Sequence, residues 1–135
     1  MQGNTFNGFL VPDALSMLVS LKNQTLSILH PHPRVIQVYP ISSGLNGAGE
    51  QRNSEKTPRG WHTIRAKIGA QAAPNTVFAG RRPTGERYTI ALAEQYPNRD
   101  WILTRILWLS GLERGKNRLG NVDTMQRYIY IHGTP

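Results

Sequence analysis

The sequence predicts an all-β domain with one small helix, arranged as a sandwich or a barrel. Short apolar and β-branched runs recur at regular spacing, several with apolar residues at every second position, as in half-buried strands. The 135 residues include 13 glycines and 9 prolines, which is typical of a turn-rich protein. Only residues 88–96 have a helical pattern.

The first half of the chain predicts an extension, a hairpin and a third strand. Residues 1–16 are expected to form an N-terminal extension that precedes one domain of residues 17–135. Residues 17–21 and 25–29 are apolar runs separated by a polar turn, which predicts a β-hairpin. Residues 34–42 alternate, and Pro40 in this third strand suits an edge or a strand end. The polar, glycine-rich residues 43–60 predict a surface loop.

The second half predicts the rest of the sheet and the helix. Residues 61–68 alternate, and His62 is expected to be a half-buried strand histidine without a catalytic role. Residues 77–79 predict a short strand, residues 80–85 a basic turn, residues 88–96 the helix, and residues 112–123 a loop.

Residues 101–110 form the most apolar stretch of the chain and are interrupted by one arginine. Their composition on both faces predicts a strand that is covered on both sides. Arg105 is expected either to pair with a carboxylate or with carbonyl groups, or to face a groove and bind an anionic group.

The charge of the chain bears on its partners. Sixteen Lys and Arg against 8 Asp and Glu give a net charge of +8, which favours polyanions such as nucleic acid, anionic lipid or an acidic wall polymer. The cations are scattered and accompany no stacking motif or recognition helix, so no specific nucleic-acid partner is predicted. No apolar run is long enough to predict a membrane span, and the N-terminus is no convincing signal peptide.

Composition also limits the chemistry. The chain contains no cysteine, which removes disulfides, thiolate metal sites and thiol nucleophiles. His30 and His32 lie in a stiff His-Pro-His-Pro connector without a third ligand nearby in sequence, so no metal and no other cofactor is expected. Paired carboxylates are hard to find among the acids, and no G-x-S-x-G nucleophile elbow is present.

His132 is the residue that the sequence places best for catalysis. Residues 127–132 alternate, with Tyr128, Tyr130 and His132 on one face, which predicts a last strand over residues 128–132. A histidine at a strand end beside Gly133 is held rigidly by the strand and opened to a ligand by the loop that follows. The residues alone indicate a basic all-β domain with a candidate general base near residue 132.

Six segments of the chain carry a family resemblance: residues 39–42 (YPIS), 56–62 (KTPRGWH), 67–69 (KIG), 80–86 (GRRPTGE), 99–109 (RDWILTRILWL) and 128–135 (YIYIHGTP). The more specific parts are a T-P-x-G segment before a strand and an I-H-G segment at a strand end. With these segments the chain resembles the L,D-transpeptidase catalytic domain, the YkuD family, over about residues 17–135.

The resemblance implies a β-sandwich-like fold and acyl transfer between peptidoglycan stem peptides through a cysteine thioester. It implies that His132 is the general base for that cysteine, because a neighbouring imidazole takes the thiol proton. It also implies stem peptides as partners, a periplasmic or cell-envelope location and no cofactor. In the family the cysteine follows in an S-H-G-C segment, which this sequence lacks.

The missing segment leads to the expectation of a C-terminally truncated or degenerate relative without transpeptidase activity. A natural truncation and a frameshift are both compatible with it, and an edge strand left unpaired predicts low stability or self-association, with the oligomeric state open. The alternative function is a non-catalytic peptidoglycan-binding module whose groove, lined by Arg105 and Trp108, holds the stem peptide or glycan. A nucleic-acid binder is a third hypothesis, suggested by charge alone.

Overall fold

The computed structural model describes residues 4–6, 9–11, 15–31 and 34–135. The chain forms two compact units, with the division between Ala48 and Gly49. Both units are built from antiparallel β-sheet, and the described part of the chain has one α-helix and one 3₁₀ turn. The prediction of an all-β protein with one small helix is therefore confirmed. Among the described residues, no helix has the length and apolar character needed to cross a membrane.

The first unit contains a two-stranded and a three-stranded sheet. β1 (Asn4–Phe6) pairs with β2 (Phe9–Val11), and β4 (Thr25–His30) lies between β3 (Ser16–Ser20) and β5 (Arg34–Pro40). The predicted hairpin of β3 and β4 is confirmed. Its turn ends at Gln24, whose φ of 53° is left-handed and whose side-chain amide binds Ser43 through both its oxygen and its nitrogen.

The second unit is one five-stranded sheet around a long central strand. Strand β9 (Ile102–Gly111) pairs with β10 (Tyr130–Gly133), β7 (Thr76–Ala79) and β6 (His62–Ile68), and β7 also pairs with β8 (Arg82–Arg87). The alternation predicted for residues 61–68 is confirmed, because burial alternates along β6 with His62 on the half-buried face.

The core of this unit lies where the sheet meets the helix. Leu103 and Val77 are 1% exposed, and they pack with Trp101 against side chains from α1 (Ile90–Gln95) and the residue Tyr88 that precedes it. Helix α1 begins where the Thr89 hydroxyl accepts a hydrogen bond from the Leu92 amide, as an N-cap residue does. The predicted helix is confirmed, with shorter bounds than residues 88–96.

Two predicted boundaries are wrong. The residues expected to form a basic turn, 80–85, mostly belong to strand β8. Pro83 is tolerated there because β8 is an edge strand, where a residue without an N–H donor need not break a ladder hydrogen bond. The last strand begins at Tyr130 and not at Tyr128, because Tyr128 has a left-handed φ of 57° and ends a turn.

Candidate active site

His132 lies on β10, the strand at the edge of the described five-stranded sheet, and its side chain is exposed. Directly across from it on β9 is Ile106, which is fully buried. The backbone of His132 is thus fixed by the sheet ladder while its ring faces solvent. This is the rigid but accessible position that the sequence predicts for a general base.

The hydrogen bond of the His132 ring determines which nitrogen can act. Nδ1 lies 2.7 Å from the carbonyl oxygen of Gly133. A carbonyl oxygen only accepts, so in the neutral ring Nδ1 carries the proton and donates it. Nε2 then carries the lone pair, and it makes no hydrogen bond with the described residues. A proton acceptor at Nε2 is the tautomer that a thiol or hydroxyl nucleophile needs.

A β-bulge opposite His132 explains the glycine that follows it. His132 pairs with Ile106 and Gly133 with Leu103, so Thr104 and Arg105 are extra residues of β9. A Cβ on Gly133 would lie 2.6 Å from the Leu103 carbonyl oxygen and 3.2 Å from the Thr104 hydroxyl. Only glycine fits here without displacing the backbone next to His132. Bulges often occur beside active sites because they redirect nearby side chains.

Arg105 is half-buried and lies in this bulge. Its Nη1 donates to the carbonyl oxygen of Thr104 at 2.6 Å. Among the described residues it forms no ion pair. Of the outcomes expected for Arg105, the structure therefore shows a hydrogen bond to a carbonyl and not pairing with a carboxylate. Its expected role in binding substrate stays a prediction.

Trp108 belongs to a cluster of one arginine and three aromatic rings beside His132, which we call the Arg81 platform (Arg81, Trp108, Tyr128 and Tyr130). Trp108 pairs directly with Tyr130 across the ladder, and their rings meet edge to face at 6.0 Å. The indole Nε1 donates to the carbonyl of Met125 at 3.1 Å. The structure thus places Trp108 opposite Tyr130, two residues before His132 on β10, and its expected role in substrate binding remains a prediction.

The guanidinium of Arg81 covers this cluster. Its central carbon lies 4.9 Å from the Trp108 ring centre and 5.0 Å from the Tyr128 ring centre, within the range of a cation–π interaction. Its Nη1 donates to the Tyr130 hydroxyl at 3.2 Å. This hydrogen bond is the main reason that the pKa of Arg81 lies above its usual value.

His62, a second histidine of the same unit, differs from His132 in the hydrogen bonds of its ring. Its Nδ1 lies 2.9 Å from the Gly60 carbonyl oxygen, and its Nε2 lies 2.9 Å from the hydroxyl of Thr124, which is fully buried. Burial lowers the pKa of His62 below 6.5. Both ring nitrogens are hydrogen-bonded and burial favours the neutral ring. That His62 has no catalytic role stays a prediction.

Arg127 is the residue whose importance the sequence does not indicate. Its guanidinium donates to the carbonyl oxygens of Lys56 at 2.6 Å and Glu50 at 3.1 Å. Longer bonds join it to the Gly49 carbonyl and the Ser54 hydroxyl, and desolvation lowers its pKa. Arg127 therefore ties the loop of residues 49–56 to the segment that leads into β10. A sequence pattern cannot reveal such contacts, because more than 70 residues separate the partners.

The described residues hold no cluster of three or more His, Cys, Asp or Glu side chains that could bind a metal ion. The His-Pro-His-Pro connector is only partly covered, because His32 and Pro33 lie outside the described residues.

Comparison with known proteins identifies the family to which the chain belongs. The L,D-transpeptidase catalytic domain family, YkuD, matches residues 16–135. The match covers nearly the whole chain, so the chain belongs to this family of acyltransferases, which act on peptidoglycan. No curated protein and no solved structure matches the chain.

Proposed function

We propose that this domain serves the transfer of acyl groups between peptidoglycan stem peptides in the cell envelope, with His132 as the general base. The observation that carries the proposal is the His132 ring. It is exposed on a rigid strand, and its Nδ1 is engaged with the Gly133 carbonyl, which directs the Nε2 lone pair outward. The family match supports the reaction class.

The proposed chemistry has two halves. Nε2 of His132 takes the proton of a cysteine thiol, and the thiolate attacks an amide carbonyl carbon of the donor peptide. The amine leaves with a proton returned by the imidazolium, and a thioester remains. An acceptor amine then attacks the thioester carbon, loses its proton to His132 and releases the thiolate.

The nucleophile of this reaction is not among these 135 residues, which contain no cysteine. We expect a protein of these residues alone to form no thioester. The check is an intact-mass measurement after incubation with a carbapenem, an acylating agent for the family's cysteine. A covalent adduct would contradict the expectation.

The role of His132 itself can be tested without the thiol. Diethyl pyrocarbonate acylates an unprotonated imidazole nitrogen, so His132, with Nε2 available, is expected to react much faster than His62, whose two nitrogens are engaged. A synthetic stem tetrapeptide should slow the reaction at His132 and leave His62 unchanged. Peptide mapping by mass spectrometry measures both sites, and His132→Gln identifies the signal. Equal reactivity of the two histidines, or no protection by the peptide, would refute the proposed site.

A non-catalytic peptidoglycan-binding module is the second candidate, favoured by the net charge of +8. Isolated sacculi should then retain the purified chain, and His132→Gln should bind to them as tightly as the wild type. If binding depends on His132, the acyl-transfer site is favoured over this candidate.

A further inference from the structure

The Arg81 platform has features of a binding site that packing alone does not explain. Tyr128 is 57% exposed, although its bulky side chain sits on a left-handed backbone. Such a conformation is unfavourable for a non-glycine residue and persists only where the surroundings hold it. Arg81 also has a left-handed φ, of 63°. Two strained residues thus bring a cation and an exposed ring together.

The Trp108 and Tyr128 rings flank the guanidinium of Arg81, which is half-buried, without enclosing it. The Trp108 and Tyr128 ring centres are 6.1 Å apart, and the Arg81 carbon is about equally far from both. These three distances make a nearly isosceles triangle, so the guanidinium lies over the seam between the rings and is not sandwiched between them. Its opposite side is not covered by either ring.

The hydrogen-bond donors of the platform are only partly used. A guanidinium has five N–H donors, and the side chain of Arg81 makes one hydrogen bond within the described residues, to Tyr130. It forms no ion pair among those residues. The Tyr130 hydroxyl accepts that bond and keeps its own proton to donate. A carboxylate placed here can receive N–H from Arg81 and O–H from Tyr130 together.

The position of the platform connects it to His132. Residues two apart in a strand point to the same face and are separated by about 7 Å, so Tyr130 and His132 share one face of β10. A peptide whose carboxylate binds the platform can therefore place at His132 a group that lies about two residues further along an extended backbone.

We propose that Arg81 and Tyr130 form a carboxylate-binding subsite that positions a peptide substrate at His132 and selects for its negative charge. The inference rests on the proposed function for the identity of the peptide. The subsite itself rests on the contacts of Arg81, Trp108, Tyr128 and Tyr130.

The test compares a synthetic stem tetrapeptide with free carboxylates and the same peptide with its carboxylates converted to amides. Binding to the purified chain is followed by amide and imidazole chemical shifts. Since a charge-assisted hydrogen bond contributes enough to change affinity about tenfold or more, the acid peptide is expected to bind at least about tenfold more tightly than the amide.

Three variants assign that preference. Arg81→Gln should reduce the affinity for the acid peptide to that for the amide, and Tyr130→Phe should reduce it about threefold to tenfold by removing one donor. Arg82→Gln makes the same charge change on the next, exposed residue, and it should retain the preference. A thermal melt checks that each variant is folded. The comparison of the acid peptide with the amide peptide on the wild type tests the subsite even if a variant does not fold.

The outcomes separate this subsite from the proposed function. Equal affinity of the wild type for both peptides, or a preference that survives Arg81→Gln, would refute the subsite. If the acid peptide also shifts the His132 signals in that case, the proposed function stands. Shifts of the platform without shifts of His132 would support carboxylate binding by Arg81 and Tyr130, and they would refute both the positioning of the peptide at His132 and the proposed role of His132. A peptide that binds at neither place overturns both proposals.

Discussion

Removal of the Arg127 guanidinium should lower the stability of the second unit. The guanidinium enters the polar loop of residues 49–56 and donates to four acceptors there. Replacement by methionine keeps the length and the apolar stem of the side chain and removes the guanidinium. The perturbation therefore tests whether these hydrogen bonds hold the loop, with little change in packing volume.

The expected loss is worked from the two shorter bonds. A hydrogen bond involving a charged group contributes about 1.5–3 kcal/mol to stability. The Glu50 carbonyl is part-buried, so its lost partner is only partly replaced by water, whereas the Lys56 carbonyl is exposed and can be rehydrated. Desolvation of the guanidinium, which lowers its pKa, offsets part of the gain. The net loss in the free energy of unfolding for Arg127→Met is about 2 kcal/mol. Arg127→Lys keeps the charge but loses the fork of donors, so it should lose about 1 kcal/mol.

The assay is urea unfolding followed by tryptophan fluorescence, since all 3 tryptophans lie in the second unit. A lower midpoint at an unchanged slope indicates a loss of stability without a change in the unfolding transition. Limited trypsin digestion gives a local readout, because Arg52, Lys56 and Arg59 lie in the loop region and should be cleaved faster in Arg127→Met. Arg114→Met is the matched control, since Arg114 is exposed, and it should change stability by less than about 0.5 kcal/mol.

Either of two results would refute this reasoning. Surface substitutions usually change the free energy of unfolding by less than about 0.5 kcal/mol. If Arg127→Met differs from the wild type by no more than that, water replaces the guanidinium at no cost. A loss equal to that of Arg114→Met would mean that removal of any arginine from this basic chain has the same effect.

Three further substitutions test other parts of the second unit. His62→Gln should flatten the pH dependence of stability. Burial lowers the pKa of His62 in the folded state, so the unfolded chain binds more protons below about pH 6.5 and the wild type loses stability as pH falls through that range. Urea melts at about pH 5 and 7.5 measure this loss, and an equal loss in the variant contradicts the prediction. Gly133→Ala should lower the free energy of unfolding by about 1–3 kcal/mol, because the added Cβ meets the Leu103 carbonyl oxygen at 2.6 Å. The variant should also change the rate at which diethyl pyrocarbonate acylates His132. A variant as stable as the wild type would show that β10 moves freely at this point. The hydrogen bond with Arg59 lowers the pKa of Glu50 to about 2, so the wild type loses stability as pH falls from about 4.5 to 2, and Glu50→Gln should lack that loss. In acid titrations followed by fluorescence, the slopes of stability against pH should differ only in that range, with the two proteins converging at its acid end.

The sequence was sufficient for the features that depend on local periodicity. Alternation predicted the half-buried face of β6, and the doubly apolar composition of residues 101–110 predicted the central strand β9. Local turn chemistry misled at β8, because Pro83 and Gly85 are typical of turns, but pairing with β7 imposes a strand there. Tertiary contacts outweighed local preference at that edge.

The candidate site was predictable only in part. His132 could be found because it ends an alternating run beside a glycine. The Arg81 platform could not, because its members come from three separate segments and meet only when β7, β9 and β10 assemble. The left-handed conformation of Tyr128 is also invisible in an alternating pattern, since tyrosine rarely adopts it.

The contrast between His62 and His132 supports the proposal that His132, and not His62, is the general base. Both lie on strands that pair with β9, and both direct Nδ1 to a backbone carbonyl. At His62 the buried Thr124 hydroxyl engages the second nitrogen, and burial favours the neutral ring. At His132 the second nitrogen has no such partner in the described part of the chain, and the backbone is fixed by the ladder with β9 and by the close approach of Gly133 to the bulge. A base needs a fixed position and an available lone pair together, and among these two histidines only His132 combines them.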